Sequence, residues 1–127
     1  MLSLAENDLY SLLLDLVAIP SVSFSEEENR AADFIFSTLS DLEYFRRNPS
    51  FLRFLPAEGD PLGRKAVAAL VKANPRTKKT VIITGHFDVV DAEACGHLKN
   101  LAFSPEEYTR RVDELERLQG TGHRVRR

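Results

Sequence analysis

Cysteine, tryptophan and methionine are scarce in this chain: of 127 residues, one is cysteine, one is methionine and none is tryptophan. The single thiol, Cys95, excludes an internal disulfide and fits a reducing compartment. It has no second cysteine with which to hold a metal or run redox chemistry. The nearby His97 is a weak case for thiolate activation against an ordinary loop thiol. Charge of either sign is also in small excess, with a net value of -2 and a pI near 5.9, so no broad basic surface invites nucleic acid. The one basic cluster is the closing "HRVRR". No apolar run approaches the roughly 18 residues of a membrane span. The opening residues mix Glu6, Asp8 and Asp15 with leucines and show no basic start or small-residue cleavage site, unlike a signal peptide. A cytoplasmic protein with neither nucleic-acid nor membrane partners is the expectation.

What is present is the composition of a globular chain, 43% hydrophobic and 28% charged. Its length is that of one domain or less. In "NDLYSLLLDLVA", Leu9, Leu12, Leu13, Leu16 and Val17 recur at helical spacing, predicting a helix over 6–18 capped near Asn7. Ile19-Pro20 ends it, since the residue before proline avoids helical angles. Ser25 and Glu28 form a capping box for a second helix over 25–42, with Ala31, Ile35, Leu39 and Leu42 on one face. Residues 43–64 have no clear period and read as loop, its aromatics and arginines packing locally rather than stacking on bases. "KAVAALVK" and "TVIIT" predict strands over 65–72 and 80–85, paired antiparallel across the short turn "ANPRTKK". Ser104, Pro105 and Glu107 open a third helix over 105–118, striped by Tyr108, Val112, Leu115 and Leu118. The order is helix-helix-strand-strand-helix, an α/β arrangement whose sheet is incomplete.

One stretch carries chemistry. In "TVIITGHFDVVD" the β-branched run ends in Gly85, and His86 and Asp88 follow it. Buried at a strand end, neither group is tolerable without a partner. In open α/β sheets ligands collect beyond the carboxyl ends of strands, and residues two apart in a strand share a face. A neutral imidazole binds a metal through one nitrogen while a carboxylate holds the other. Two readings stay open on the residues alone: a metal ligand with its orienting carboxylate, or a pair that merely secures a strand end. One histidine is not a coordination set, because zinc takes three or four protein ligands.

"LLLDLVAIPSVSFSEEENRAADFI", a strand and then "VIITGHFDVVD" resemble the opening of the co-catalytic zinc amidohydrolases and metallopeptidases. These are the relatives of aminoacylase, acetylornithine deacetylase, succinyl-diaminopimelate desuccinylase and carboxypeptidase G. Within them, "DPLGRKAVAALVK" and "GHLKNLAFSPEEYTRRV" look most like the arginine-utilisation branch. The resemblance covers roughly residues 9–112. It implies a zinc-exopeptidase-like catalytic domain of which residues 1–127 are a truncated N-terminal segment. It implies His86 as a ligand of one of two zinc ions and Asp88 as the catalytic-site carboxylate steadying it. The activity implied is hydrolysis of an N-acyl or peptide amide bond of an amino acid, with two zinc ions polarising the amide and activating water for a glutamate base.

The rest of that family's pattern is not matched. Gly120 and Gly122 are spaced as in its next metal-binding word, but Val125 stands where the bridging aspartate would fall. The local donors are Asp91, Glu93, His97, Glu106, Glu107, Asp113 and His123, of which Asp91 and Glu93 follow the strand most closely. Two alternatives to a catalytic segment are therefore carried forward. One is a non-catalytic remnant that folds only partly, or that pairs with a copy or a partner through exposed sheet edges; the other is a small binding module using the strand-end pocket.

Overall fold

The structure, a computed structural model, describes residues 6–73 and 78–119. His123, Val125, the basic tail and most of the "ANPRTKK" turn lie outside the described residues. The elements are α1 (Glu6–Val17), α2 (Glu27–Ser40), α3 (Glu43–Arg47), β1 (Leu52–Pro56), β2 (Lys65–Ala69) and α4 (Pro105–Gln119). Short 3-10 segments occupy Pro49–Phe51 and Ala92–Leu101. The chain is thus mixed α/β, with an open two-stranded antiparallel sheet among the described residues. It divides into two compact units, Pro20–Val90 and the two ends on either side of it.

In Pro20–Val90, α2 lies against both strands. Ala31 and Ala32 of α2 are fully buried. Phe36 stacks on Phe54 with ring centroids 4.2 Å apart. The Lys65 ammonium lies 4.2 Å from the same ring and pairs with Asp33. Phe45 and Leu52 complete the buried core. The strands register from Leu52 opposite Ala69 to Pro56 opposite Lys65.

The hairpin connection is held by Asp60. Its Oδ2 accepts from the Arg64 backbone N–H at 2.7 Å, and its two oxygens take the Arg64 guanidinium at 2.7 and 3.0 Å. Gly59 and Gly63 turn the chain there with φ of 73° and 59°, the left-handed region where a Cβ is strained. Hydrogen bonding from Arg64 holds the Asp60 carboxyl below its ordinary value, and Asp60 in turn pushes the guanidinium up. Glu28 joins the pair, 3.3 Å from Arg64 Nη1.

Three expectations need correction here. Residues 43–64 are not loop: they supply α3 and β1. The alternation Leu52-Arg53-Phe54-Leu55, with Leu52 buried and Arg53 exposed, is a strand pattern masked by the arginines beside it. The antiparallel pair exists, but its members are residues 52–56 and 65–69, not 65–72 and 80–85. Residues 80–85 form no strand, and Val81, Ile82 and Ile83 are 84%, 82% and 92% exposed. A strand needs a ladder partner for its N–H and C=O groups, and this run has none among the described residues. Finally, Ser25 does not cap α2. Its hydroxyl donates to Val22 O at 2.6 Å, while Glu28 Oε1 reaches back to accept from Phe24 N–H at 2.6 Å. Phe24, at φ 66°, turns the chain out of reach of the box.

In the unit formed by the ends, α1 touches α4. Leu12 and Leu16 of the expected α1 stripe are half-buried, whereas Leu9, Leu13 and Val17 are exposed. Pro105 takes the first position of α4, and Tyr108 N–H donates to Ser104 O at 2.8 Å. The side chains of Leu115 and Leu118 lie outside the described residues. The 3-10 segment was not expected from sequence. Asp91 opens it by accepting from Glu93 N–H at 2.9 Å, and Gly96, at φ 56°, breaks it in the middle. No described helix is long and apolar enough to cross a membrane.

Candidate functional site

Proline at 20 carries the chain out of helical geometry, and the next three residues run alongside Phe87–Val89. Val22 and Val89 form a parallel bridge: Val89 N–H donates to Ser21 O and Ser23 N–H donates to Val89 O, each at 2.9 Å. The Ser21 hydroxyl, 2% exposed, adds a bond to Phe87 O at 2.7 Å. Two segments 65 residues apart in sequence are thereby clasped, and the clasp presents His86 and Asp88.

The structure brings these two together. His86 Nδ1 lies 3.1 Å from both Asp88 Oδ1 and Asp88 O. Asp88 Oδ2 accepts from the Ser23 hydroxyl at 2.7 Å. That bond is the main reason the Asp88 carboxyl titrates below its ordinary value; partial burial opposes it and His86 assists. The site is open, with side-chain exposures of 85% for His86 and 36% for Asp88. The expectation of a buried strand end is therefore corrected. These groups are joined because they face each other at the surface, and no apolar interior forces the pairing.

With Nδ1 facing two acceptors, the ring's other nitrogen, Nε2, points away from the pair and has no partner among the described residues. That arrangement suits one metal ligand and the carboxylate that orients it. It does not fit a whole metal site, since no three His, Cys, Asp or Glu side chains among the described residues group to hold an ion. Three of the other donors have local employment. Asp91 caps the 3-10 segment, Glu93 pairs with Lys99 at 3.0 Å and Glu107 lies 3.5 Å from Arg110. Cys95 is set against the Tyr108 hydroxyl, whose ionisation it pushes up; a His97 base for this thiol is not part of that contact.

Sequence reading found His86 and Asp88 but passed over Ser21 and Ser23. A signal existed. Serines two apart after a proline place two hydroxyls on one side of an extended segment, where each can bond to a neighbouring chain.

With this geometry in view, the chain can be set beside known proteins. Over 122 residues, 96% of the chain, it is 35% identical to an uncharacterized protein, YqjN, of Bacillus subtilis (strain 168). Over 97 residues, 76% of the chain, it is 35% identical to protein RocB of the same organism. Those alignments take in 21% and 17% of the two proteins, so the chain spans about a fifth of the length of the curated relatives it matches. No family model matches the sequence, and no solved structure matches it. The chain is similar, across most of its own length, to one part of each of two much longer bacterial proteins.

Proposed function

We propose that this chain is the N-terminal segment of a zinc-dependent amidohydrolase or peptidase, acting on N-acyl or peptide amide bonds of amino acids in arginine metabolism. His86 supplies one zinc ligand through Nε2, and Asp88 is the carboxylate that orients it. The carrying observation is the placement of Asp88 Oδ1 and O at 3.1 Å from Nδ1, which leaves the opposite nitrogen to face outward. The resemblance of "AIPSVS" and "GHFDVV" to the opening of such enzymes supports the reading, because these are the two segments the clasp joins. The remaining zinc ligands and the general base belong to the rest of a longer protein, of the scale of the relatives matched.

Zinc uptake tests it. The purified chain, dialysed against zinc, should retain at most substoichiometric metal, any of which His86→Ala removes, and should not turn over an N-acetyl amino acid. Metal uptake unaffected by His86→Ala sinks the ligand assignment. Two tightly held zinc ions per chain, or turnover, sink the assignment of the other ligands to residues elsewhere.

The exposure of Val81, Ile82 and Ile83 favours a second reading, a non-catalytic fragment that pairs with a second copy of itself. A β-branched run with no ladder partner is a template for strand pairing. An antiparallel register centred on Ile83 sets Lys78 of each copy opposite Asp88 of the other, so charges complement at both ends. Sedimentation over a concentration series separates the two readings.

A further inference from the structure

The clasp between Ser21–Ser23 and Phe87–Val89 contains a hydroxyl that backbone bonding does not require. Ser23 is already fixed by its N–H, which donates to Val89 O at 2.9 Å. Its hydroxyl has one proton to give and two acceptors in reach: Asp88 Oδ2 at 2.7 Å and Val89 O at 3.2 Å. The shorter bond is to the carboxylate, and a bond to an ionised acceptor is the stronger. With Oδ2 so engaged, Oδ1 is turned to the imidazole.

We infer that Ser23 is a positioning residue, which by donating to Asp88 Oδ2 sets Oδ1 against His86 Nδ1 and fixes the ring tautomer with its proton on Nδ1. The tautomer of a neutral imidazole follows the hydrogen bond made by the other nitrogen. Here Nδ1 faces two acceptors, the Asp88 carboxylate and carbonyl oxygens, each at 3.1 Å. It must therefore carry the proton, and Nε2 is left with its lone pair exposed. The carbonyl alone would be a weaker guide than both together. Freed of Ser23, the Asp88 side chain, more than a third exposed, can rotate toward water and withdraw Oδ1. Ser23 thus acts on His86 through one intermediary, from a segment far away in sequence. The metal-binding consequence rests on the proposed function, whereas the tautomer is a property of the chain without metal.

The test is the imidazole 15N spectrum of the full chain, labelled at histidine and treated with chelator, above the pH where the ring is charged. In the unsubstituted chain His86 Nδ1 should resonate as a protonated nitrogen and Nε2 as an unprotonated one. Ser23→Ala should move the two signals toward each other, and Ser23→Thr, which keeps the hydroxyl, should leave them apart. Ser21→Ala removes the neighbouring bond to Phe87 O and should also leave them apart, which distinguishes positioning from general loosening of the clasp. Signals unmoved by Ser23→Ala, or moved equally by Ser21→Ala, overturn the inference. A parallel zinc titration should show His86-dependent affinity falling in Ser23→Ala by about tenfold, the lower end for groups that orient a ligand. If zinc uptake ignores His86 while the tautomer still depends on Ser23, the metal reading fails and this inference stands. If uptake depends on His86 while Ser23→Ala leaves the spectrum unchanged, the reverse holds.

Discussion

Two apolar runs within Pro20–Val90 meet opposite fates. Lys65–Ala69 is rich in alanine, a poor strand former, yet it is β2 of the hairpin. Residues 80–84 are five β-branched residues in succession, the composition most favoured in strands, yet they join no ladder among the described residues. Intrinsic preference ranks these segments in the wrong order. What differs is the neighbourhood. β2 has β1 along one edge, and Phe54 of that neighbour stacks on Phe36 of α2. Residues 80–84 have no such neighbour among the described residues, and the side chains of Val81, Ile82 and Ile83 stand in solvent. Strand preference is chiefly a preference for a pleated, half-covered surface, so a segment without cover does not express it.

The contrast predicts very different costs for trimming one aliphatic side chain in each place. Leu52, only 5% exposed, is the buried first residue of β1. Leu52→Ala should destabilise Pro20–Val90 by about 2–5 kcal/mol, the range for a buried leucine. Chemical denaturation followed by far-ultraviolet dichroism measures this. A loss of less than about 1 kcal/mol would break the comparison, because Leu52 would then be no better covered than residues 81–83.

A smaller effect sharpens the comparison from the side of the connection. β1 and β2 meet because residues 57–64 turn back, and Asp60 holds that turn through Arg64. The carboxyl of Asp60 has its pKa lowered on folding, chiefly by the Arg64 hydrogen bond. Its contribution is therefore fully present above the unfolded carboxylate value and is lost as pH falls through the lower folded value. Stability should decline below about pH 4, where an unperturbed aspartate takes its proton. In Asp60→Asn that part of the decline should be missing, with stability at neutral pH reduced toward the acid value of the parent. Identical acid limbs for the two proteins would remove Asp60 from the account.

Much of this was legible in the sequence, and the failures share one cause. The three long helices could be placed because helical periodicity and the proline at 20 are local signals, complete within each segment. The His86–Asp88 contact was also local, a matter of two residues' separation. Strand pairing is not local. Nothing within "TVIIT" reveals whether another strand lies beside it, and nothing within "FLRFLP" announces that α2 will cover Phe54. Ser23 escaped notice for the same reason, since its partner is 65 residues away. The capping box at Ser25 misled in the opposite sense: a correct local pattern was displaced by the turn at Phe24, which uses half of the box in another way.

The smallest expected change in stability lies in the uncovered run. Ile83 is 92% exposed, so its side chain gives up almost no contact with water on folding. Ile83→Lys should leave the unfolding free energy within about 0.5 kcal/mol of the parent, as for other surface substitutions away from packed features. Association should respond where folding does not. In antiparallel self-pairing centred on Ile83, that residue faces its own counterpart, so the substitution sets two lysines directly opposite one another. Like charges in that position oppose pairing, and the apolar contact is lost as well. Sedimentation velocity over a concentration series should show self-association in the parent and less of it in Ile83→Lys, with thermal unfolding unchanged in dilute solution. If the substitution destabilises the dilute chain by as much as Leu52→Ala does, then Ile83 is covered, and the contrast between the two runs is wrong. If dilute stability is equal and association persists undiminished, the run stays uncovered but is not where copies meet, and the second functional reading falls.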